Sequence, residues 1–135
     1  MMSTTRRNSE QPQAVMTVEA ILKYQDLVRQ MPISEQVAEY AVKLMRATRP
    51  TDESSPDFVK NWVQFGCGPR AGQSLIMAAK ANAALSGRTD VAFEDIRKYA
   101  LPTLRHRIAL NFTAASEGVN TDQVIKQILD YVKTD

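Results

Sequence analysis

Phe65-Gly66-Cys67-Gly68-Pro69-Arg70-Ala71-Gly72-Gln73-Ser74-Leu75 is the stretch on which the fold and the function of this chain turn. Gly66 and Gly68 permit a sharp backbone path, and Pro69 suits the first position of a helix, where its missing N–H has no partner to lose. Arg70 then falls in the first helical turn. A helix start carries partial positive charge and unpaired N–H groups, and a guanidinium adds a fixed charge with a planar fork that matches phosphate oxygens. The residues predict a phosphate contact at Arg70, with Gly68 and Pro69 beside it. Cys67 reads as a small side chain that fits the turn, or as a thiol whose acidity the neighbouring helix start raises.

Outward from this turn the pattern is helical. Downstream, a helix runs from Pro69 to about Ser86, with Leu75, Ala78, Ala79, Asn82 and Leu85 on one face and Gly87 just past its end. Upstream, Ser34 caps a segment in which Val37, Tyr40, Ala41, Leu44, Met45 and Thr48 repeat at helical spacing, and Arg49-Pro50 stops it. Before that, Thr17 caps a helix with Val18, Ile21, Leu22, Val28 and Met31 near one face. A polar loop at 50–57 leads to a short helix whose Phe58 and Trp62, with Phe65 beyond, read as core aromatics. Thr89 to Ala92 reads as extended, with a minor β pairing. A helix after Phe93 carries Ile96, Tyr99 and Ala100, and Pro102 divides it from a further turn with Leu104, Ile108 and Leu110. Ser116 to Asn120 is a loop, and Thr121 caps a last helix with Val124, Ile125, Ile128, Leu129 and Val132. The expected fold is all-α: one helical bundle of about six helices over residues 17–135, preceded at 1–16 by a disordered tail or linker remnant.

Composition narrows the function. With 135 residues, 44% hydrophobic and 24% charged, the chain suits one soluble domain. A net charge of +2 is too small to imply nucleic acid. One cysteine and one histidine leave no internal disulfide and no His/Cys metal site. No apolar run approaches the ~20 residues of a membrane span, and the polar start is not a secretory signal, so the cytoplasm is the expected compartment.

The assembled motifs resemble a known family. Ala47-Thr48-Arg49-Pro50, Trp62, Gly66-x-Gly68-Pro69-Arg70-Ala71, Ala79-Lys80-Ala81, Gly87-Arg88, Glu94-Asp95-Ile96, Leu104-Arg105-His106-Arg107-Ile108 and Asn111-Phe112 follow one another as in the C-terminal lid domain of MoxR-type AAA+ ATPases, over residues 15–132. The resemblance implies a helical lid that follows a nucleotide-binding domain. It implies a sensor-2-like role for Arg70, reaching the γ-phosphate of ATP. It also implies coupling of nucleotide state to chaperone-like remodelling of client proteins, whose identity the resemblance leaves open. The partners implied are the AAA+ core domain and homologous subunits.

The chain departs from that family in one respect. It contains no G-x-x-x-x-G-K-[ST] phosphate loop and no strand ending in an acidic pair to hold magnesium. A lid supplies one electrostatic contact, whereas phosphoryl transfer needs a phosphate cradle, Mg²⁺ and a positioned water together. ATP is therefore expected only with a core domain on another segment or chain, Mg²⁺ is not expected on this chain, and no catalytic residue is assigned. The sequence is compatible with a fragment, a split gene product or a reading frame begun at an internal methionine.

Arg105, His106 and Arg107 form a basic run that admits two roles: contact with a neighbouring subunit or the nucleotide edge, or local salt bridging with His106 packed on the core. Arg46, Arg49 and Arg88 read as structural, Arg88 pairing with Asp90 or Glu94. Glu94 and Asp95 complement the macrodipole of their helix. Two other functions compete with the lid: a nucleic-acid-binding module using Arg97, Lys98, Arg105 and Arg107, and a free-standing protein-interaction module.

Overall fold

The computed structural model describes residues 13–134. Among these, the elements run α1 (Val18–Gln30), α2 (Glu35–Ala47), α3 (Asp57–Trp62), β1 (Val63–Phe65), α4 (Pro69–Leu85), α5 (Phe93–Leu104), β2 (Ala109–Leu110), α6 (Phe112–Ser116) and α7 (Thr121–Tyr131). The fold is an all-α bundle with one two-stranded ribbon. Of the predicted tail, residues 1–12 lie outside the described residues, and 13–16 are exposed and form neither helix nor strand.

At the centre stands α4. Its small residues Ala71, Ala79 and Ala83 are buried, as is Ala100 of α5, and these two helices make the most extensive contact in the molecule. Small side chains let the helix axes approach closely, and Leu75, fully buried, fills the middle. The predicted face of α2 is the observed one: Val37, Tyr40, Ala41, Leu44, Met45 and Thr48 are all buried. Ser34 caps α2 by accepting from the Val37 N–H at 3.3 Å, as predicted. From α7, Val124, Ile125 and Ile128 close the core. Arg97 ties three helices together, donating to Tyr40 Oη at 2.9 Å and to the Leu129 carbonyl at 2.7 Å.

Several elements differ from expectation. Thr17 caps α1 as predicted, but the apolar face of that helix stays exposed, with Val18 at 68% and Leu22 at 54%. Val28 is half-buried, Met31 just after the helix is buried, and Lys80 of α4 reaches the Arg29 carbonyl at 3.2 Å. Pro102 does not divide α5, which continues through it to Leu104. Pro102 is exposed and lies two residues before the end of the helix. The β pairing joins Val63–Phe65 to Ala109–Leu110, not the Thr89–Ala92 segment. Asn111 then caps a short α6, accepting from the Ala114 N–H at 3.0 Å and donating to the Asn61 carbonyl at 2.7 Å. The cap of α7 is Asn120, paired reciprocally with Gln123, and Thr121 is the first helical residue. Among the predicted core aromatics, Phe58 and Trp62 are half-buried, but Phe65 is 65% exposed on the ribbon.

A buried polar joint links the end of α4 to the start of α5. Gly87, at φ +68°, turns the chain after α4, so the left-handed conformation there does need glycine. Next to it, Arg88 pairs with Asp95, not with Asp90 or Glu94. Asp95 is 2% exposed, and it also accepts from the Asn82 amide and, at 2.9 Å, from the Ala92 N–H. Lys98 donates to Asn82 Oδ1 at 2.9 Å. Above all the Arg88 hydrogen bond, with those of Ala92 and Asn82, holds the Asp95 carboxyl down to about 2 against the opposing effect of burial.

The folded carboxyl therefore titrates below an unfolded aspartate, which titrates near 4. The stabilisation is complete above about pH 4 and is lost as pH falls toward 2. Asp95→Asn should destabilise the chain at pH 7 by about 3 kcal/mol, with the deficit shrinking between about pH 4 and pH 2. Urea titrations of both proteins across that range measure it.

A second joint sets α4 against α2. A Cβ on Gly66 would lie 2.2 Å from the Thr48 carbonyl oxygen and 2.8 Å from Arg49 Cα, both rigid backbone. Gly68, by contrast, has an ordinary extended conformation and open space where a Cβ would go. Only the first glycine is a steric requirement of the fold. Gly66→Ala should cost about 2–3 kcal/mol or prevent folding, while Gly68→Ala should stay within about 1 kcal/mol of the parent by thermal unfolding.

Candidate functional site

The turn that launches Arg70 is held from α2. Beyond the steric seat of Gly66, the buried Thr48 hydroxyl donates to the Met45 carbonyl at 2.7 Å and accepts from the Cys67 N–H at 2.9 Å. Arg49 Nε donates to the Cys67 carbonyl at 2.9 Å. Two consecutive residues of one motif, Thr48 and Arg49, therefore follow the end of α2 and fix the path of the next motif. Ser55 closes the loop by donating to the Arg49 carbonyl, and Arg46 holds the same loop through Asp52 at 3.0 Å. The structural roles expected of Arg46 and Arg49 are the observed ones.

Cys67 is a packing residue of this joint. It is 1% exposed, and burial pushes its thiol up from the usual range, with the Thr48 hydrogen bond and the nearby Arg107 and Arg49 charges opposing. A buried thiol held in its neutral form is not the activated one that a helix start can create.

Beyond the seat, Pro69 is the first residue of α4 and Arg70 the second, its side chain exposed. Among the described residues it has no carboxylate within ion-pair distance. One turn further on, Ser74 donates to the Arg70 carbonyl at 2.9 Å. Arg70, Gln73, Ser74 and Met77 line one side of an open groove of about 550 Å³, and Arg107 lines the other.

The basic run after α5 does not act as a unit. Arg105 turns to α7 and pairs with Asp122 at 2.9 Å. Arg107 turns the opposite way, to α4, and donates to Ser74 Oγ at 3.3 Å. His106 is exposed rather than packed on the core, and its Nε2 accepts from Arg107 Nε at 3.3 Å. It also lines a second shallow depression with Arg105 and the first turn of α7. The sequence brackets Arg105 and Arg107 together, and the tertiary structure separates them. Nothing in the sequence alone brings Arg107 to within reach of Arg70, since the two lie on opposite sides of α5 in chain order.

The groove offers guanidinium, amide and hydroxyl groups, and no carboxylate lines it. Such a donor set suits the oxygens of phosphate. Among the described residues there is no group of three or more His, Cys, Asp or Glu side chains placed to hold a metal ion, and no helix is long and apolar enough to cross a membrane.

Comparisons with known proteins agree on one family. The family model for the AAA lid domain matches residues 58–128, more than half of the chain. The chain is 30% identical over 123 residues to the chaperone MoxR1 of Mycobacterium tuberculosis, covering 90% of this chain and 33% of that protein. It is 28% identical over 130 residues to the uncharacterized protein YeaC of Bacillus subtilis, covering 92% and 38% respectively. A crystal structure of a candidate ATPase from Cytophaga hutchinsonii superposes with a TM-score of 0.87 at 32% identity, over 98% of this chain and 41% of that one. The chain thus spans between a third and two fifths of the length of the relatives it matches. Its bundle, its seated glycine turn and these matches coincide: the chain belongs to the AAA lid domain family, in the form found in MoxR-type AAA+ proteins.

Proposed function

We propose that this lid senses nucleotide through Arg70. The guanidinium contacts the terminal phosphate of an ATP held by an AAA+ core domain, with Gly68 and Pro69 bringing the backbone alongside. When that phosphate leaves, the contact is lost and the lid changes position, so nucleotide state becomes a mechanical signal. In a cytoplasmic AAA+ assembly that signal drives chaperone-like remodelling of partner proteins. The observation that carries this role is the pairing of opposites at one turn: a backbone seat that cannot shift without a clash and, just beyond it, an exposed arginine with no carboxylate partner among the described residues.

The nucleic-acid alternative loses support from the same geometry. Of its four basic residues, Arg97 pairs with Asp130, Lys98 is engaged by Asn82 and Arg105 pairs with Asp122, so they form no open cationic track. A free-standing interaction module retains one supporting observation, the uncovered apolar face of α1.

Supplying this chain in trans to a MoxR-type core domain that lacks its own lid tests the sensing role. ATP turnover should rise on mixing, and Arg70→Ala should lower that gain by at least about tenfold, with Arg70→Lys between the two. Equal turnover with alanine at this position would refute it.

A further inference from the structure

We propose that Arg107 is a second phosphate-binding residue, which together with Arg70 clamps one polyphosphate chain across the groove between α4 and the segment after α5. This role presupposes the sensing function proposed above and adds a binding group to it.

Ion pairing sorts the arginines of this molecule into two sets. Of the eight arginines among the described residues, five have a carboxylate within 4.0 Å: Arg29, Arg46, Arg88, Arg97 and Arg105. Arg49, Arg70 and Arg107 have none, and all three gather at the glycine turn. Arg49 spends its Nε on the Cys67 carbonyl. Arg107 presents its own carbonyl 4.0 Å from Cys67 Sγ while its side chain leans over α4. The remaining pair, Arg70 and Arg107, line a single groove that holds no acidic side chain. Two like charges on one small surface repel each other, and burial of neither explains their being there. An anion between them turns that repulsion into attraction on both sides.

Groups that carry no negative charge hold Arg107 in place. The Ser74 hydroxyl gives its proton to the Arg70 carbonyl and takes a hydrogen bond from Arg107 Nη2. One hydroxyl therefore links the side chain of Arg107 to the main chain of Arg70. His106 accepts from Arg107 Nε. Neither partner cancels the charge, and a guanidinium carries five N–H donors, so several remain for a ligand. Arg105, two residues earlier, shows the contrast: Asp122 neutralises it on the far side of the segment. Two guanidinium forks on separate elements match a ligand with oxygens at more than one phosphorus better than a single phosphate.

Titration of the full chain with sodium tripolyphosphate, ATP, AMP and inorganic phosphate, read through the side-chain Nε resonances of arginine, tests this. The Arg70 and Arg107 resonances should move together along one saturation curve, with Arg105 unmoved. Tripolyphosphate and ATP should bind at least about fivefold more tightly than AMP or phosphate, and Arg107→Gln should weaken tripolyphosphate about tenfold while the Arg70 resonance still responds. If Arg70 moves and Arg107 does not, or if AMP binds as tightly as ATP, the clamp is overturned and the sensing role of Arg70 stands. If neither resonance moves up to about 10 mM tripolyphosphate, the clamp is overturned, while the sensing role of Arg70, which acts on ATP held by a core domain, is decided by the turnover measurement above. The wild-type resonances decide the matter even if the variant fails to fold.

Discussion

A glycine pressed against a carbonyl is the constraint on which the rest of this molecule depends. Gly66 meets the Thr48 carbonyl with no room for a side-chain carbon, and the Thr48 hydroxyl and the Arg49 guanidinium fasten the next residue on both its N–H and its C=O. Helix packing alone leaves some freedom of slide and rotation between two helices. A backbone contact reinforced by two hydrogen bonds removes it. The start of α4, and with it the position of Arg70, is therefore defined relative to α2 by covalent-scale geometry rather than by side-chain packing.

This explains why two motifs distant in sequence serve one purpose. The first ends a helix; the second begins one; each is unremarkable alone. Joined, they form a bracket that buries Cys67 and leaves the following arginine in solvent. The second polar joint, around Asp95, does the same at the other end of α4. Rigid ends on a central helix, with an alanine-lined contact to α5 between them, make α4 the part of the bundle least able to deform.

Much of the architecture was legible in the residues, for a physical reason. α2 and α4 are long, amphipathic and sharply bounded by Ser34, Pro50, Pro69 and Gly87, so periodicity and caps agree with each other. The β ribbon was not legible where it forms, because strands of three and two residues are too short to show alternation. Pro102 misled because a proline inside a helical pattern reads as a break, whereas here it sits in the last turn of α5, where the helix is about to end. Asn120 was overlooked beside Thr121, since both residue types cap helices and only the reciprocal bond with Gln123 separates them. At the candidate site, Arg70 stood out through its glycine and proline neighbours. The approach of Arg107 had no local signature; it follows from the way α5 reverses the chain and returns it along α4. The exposed face of α1 was likewise invisible to periodicity, which marks an apolar stripe but not whether anything covers it.

The 17 residues of α4 span about 25 Å, from the Arg70 groove to the Arg88–Asp95 joint. A stiff rod clamped by hydrogen bonds at both extremities moves only together with the elements that grip its ends. Tilting it by roughly 5° at the arginine end carries the opposite end through about 2 Å, a distance set by its length alone. On the sensing role proposed for Arg70, a contact made or lost at one end of this helix is carried across the bundle to the other.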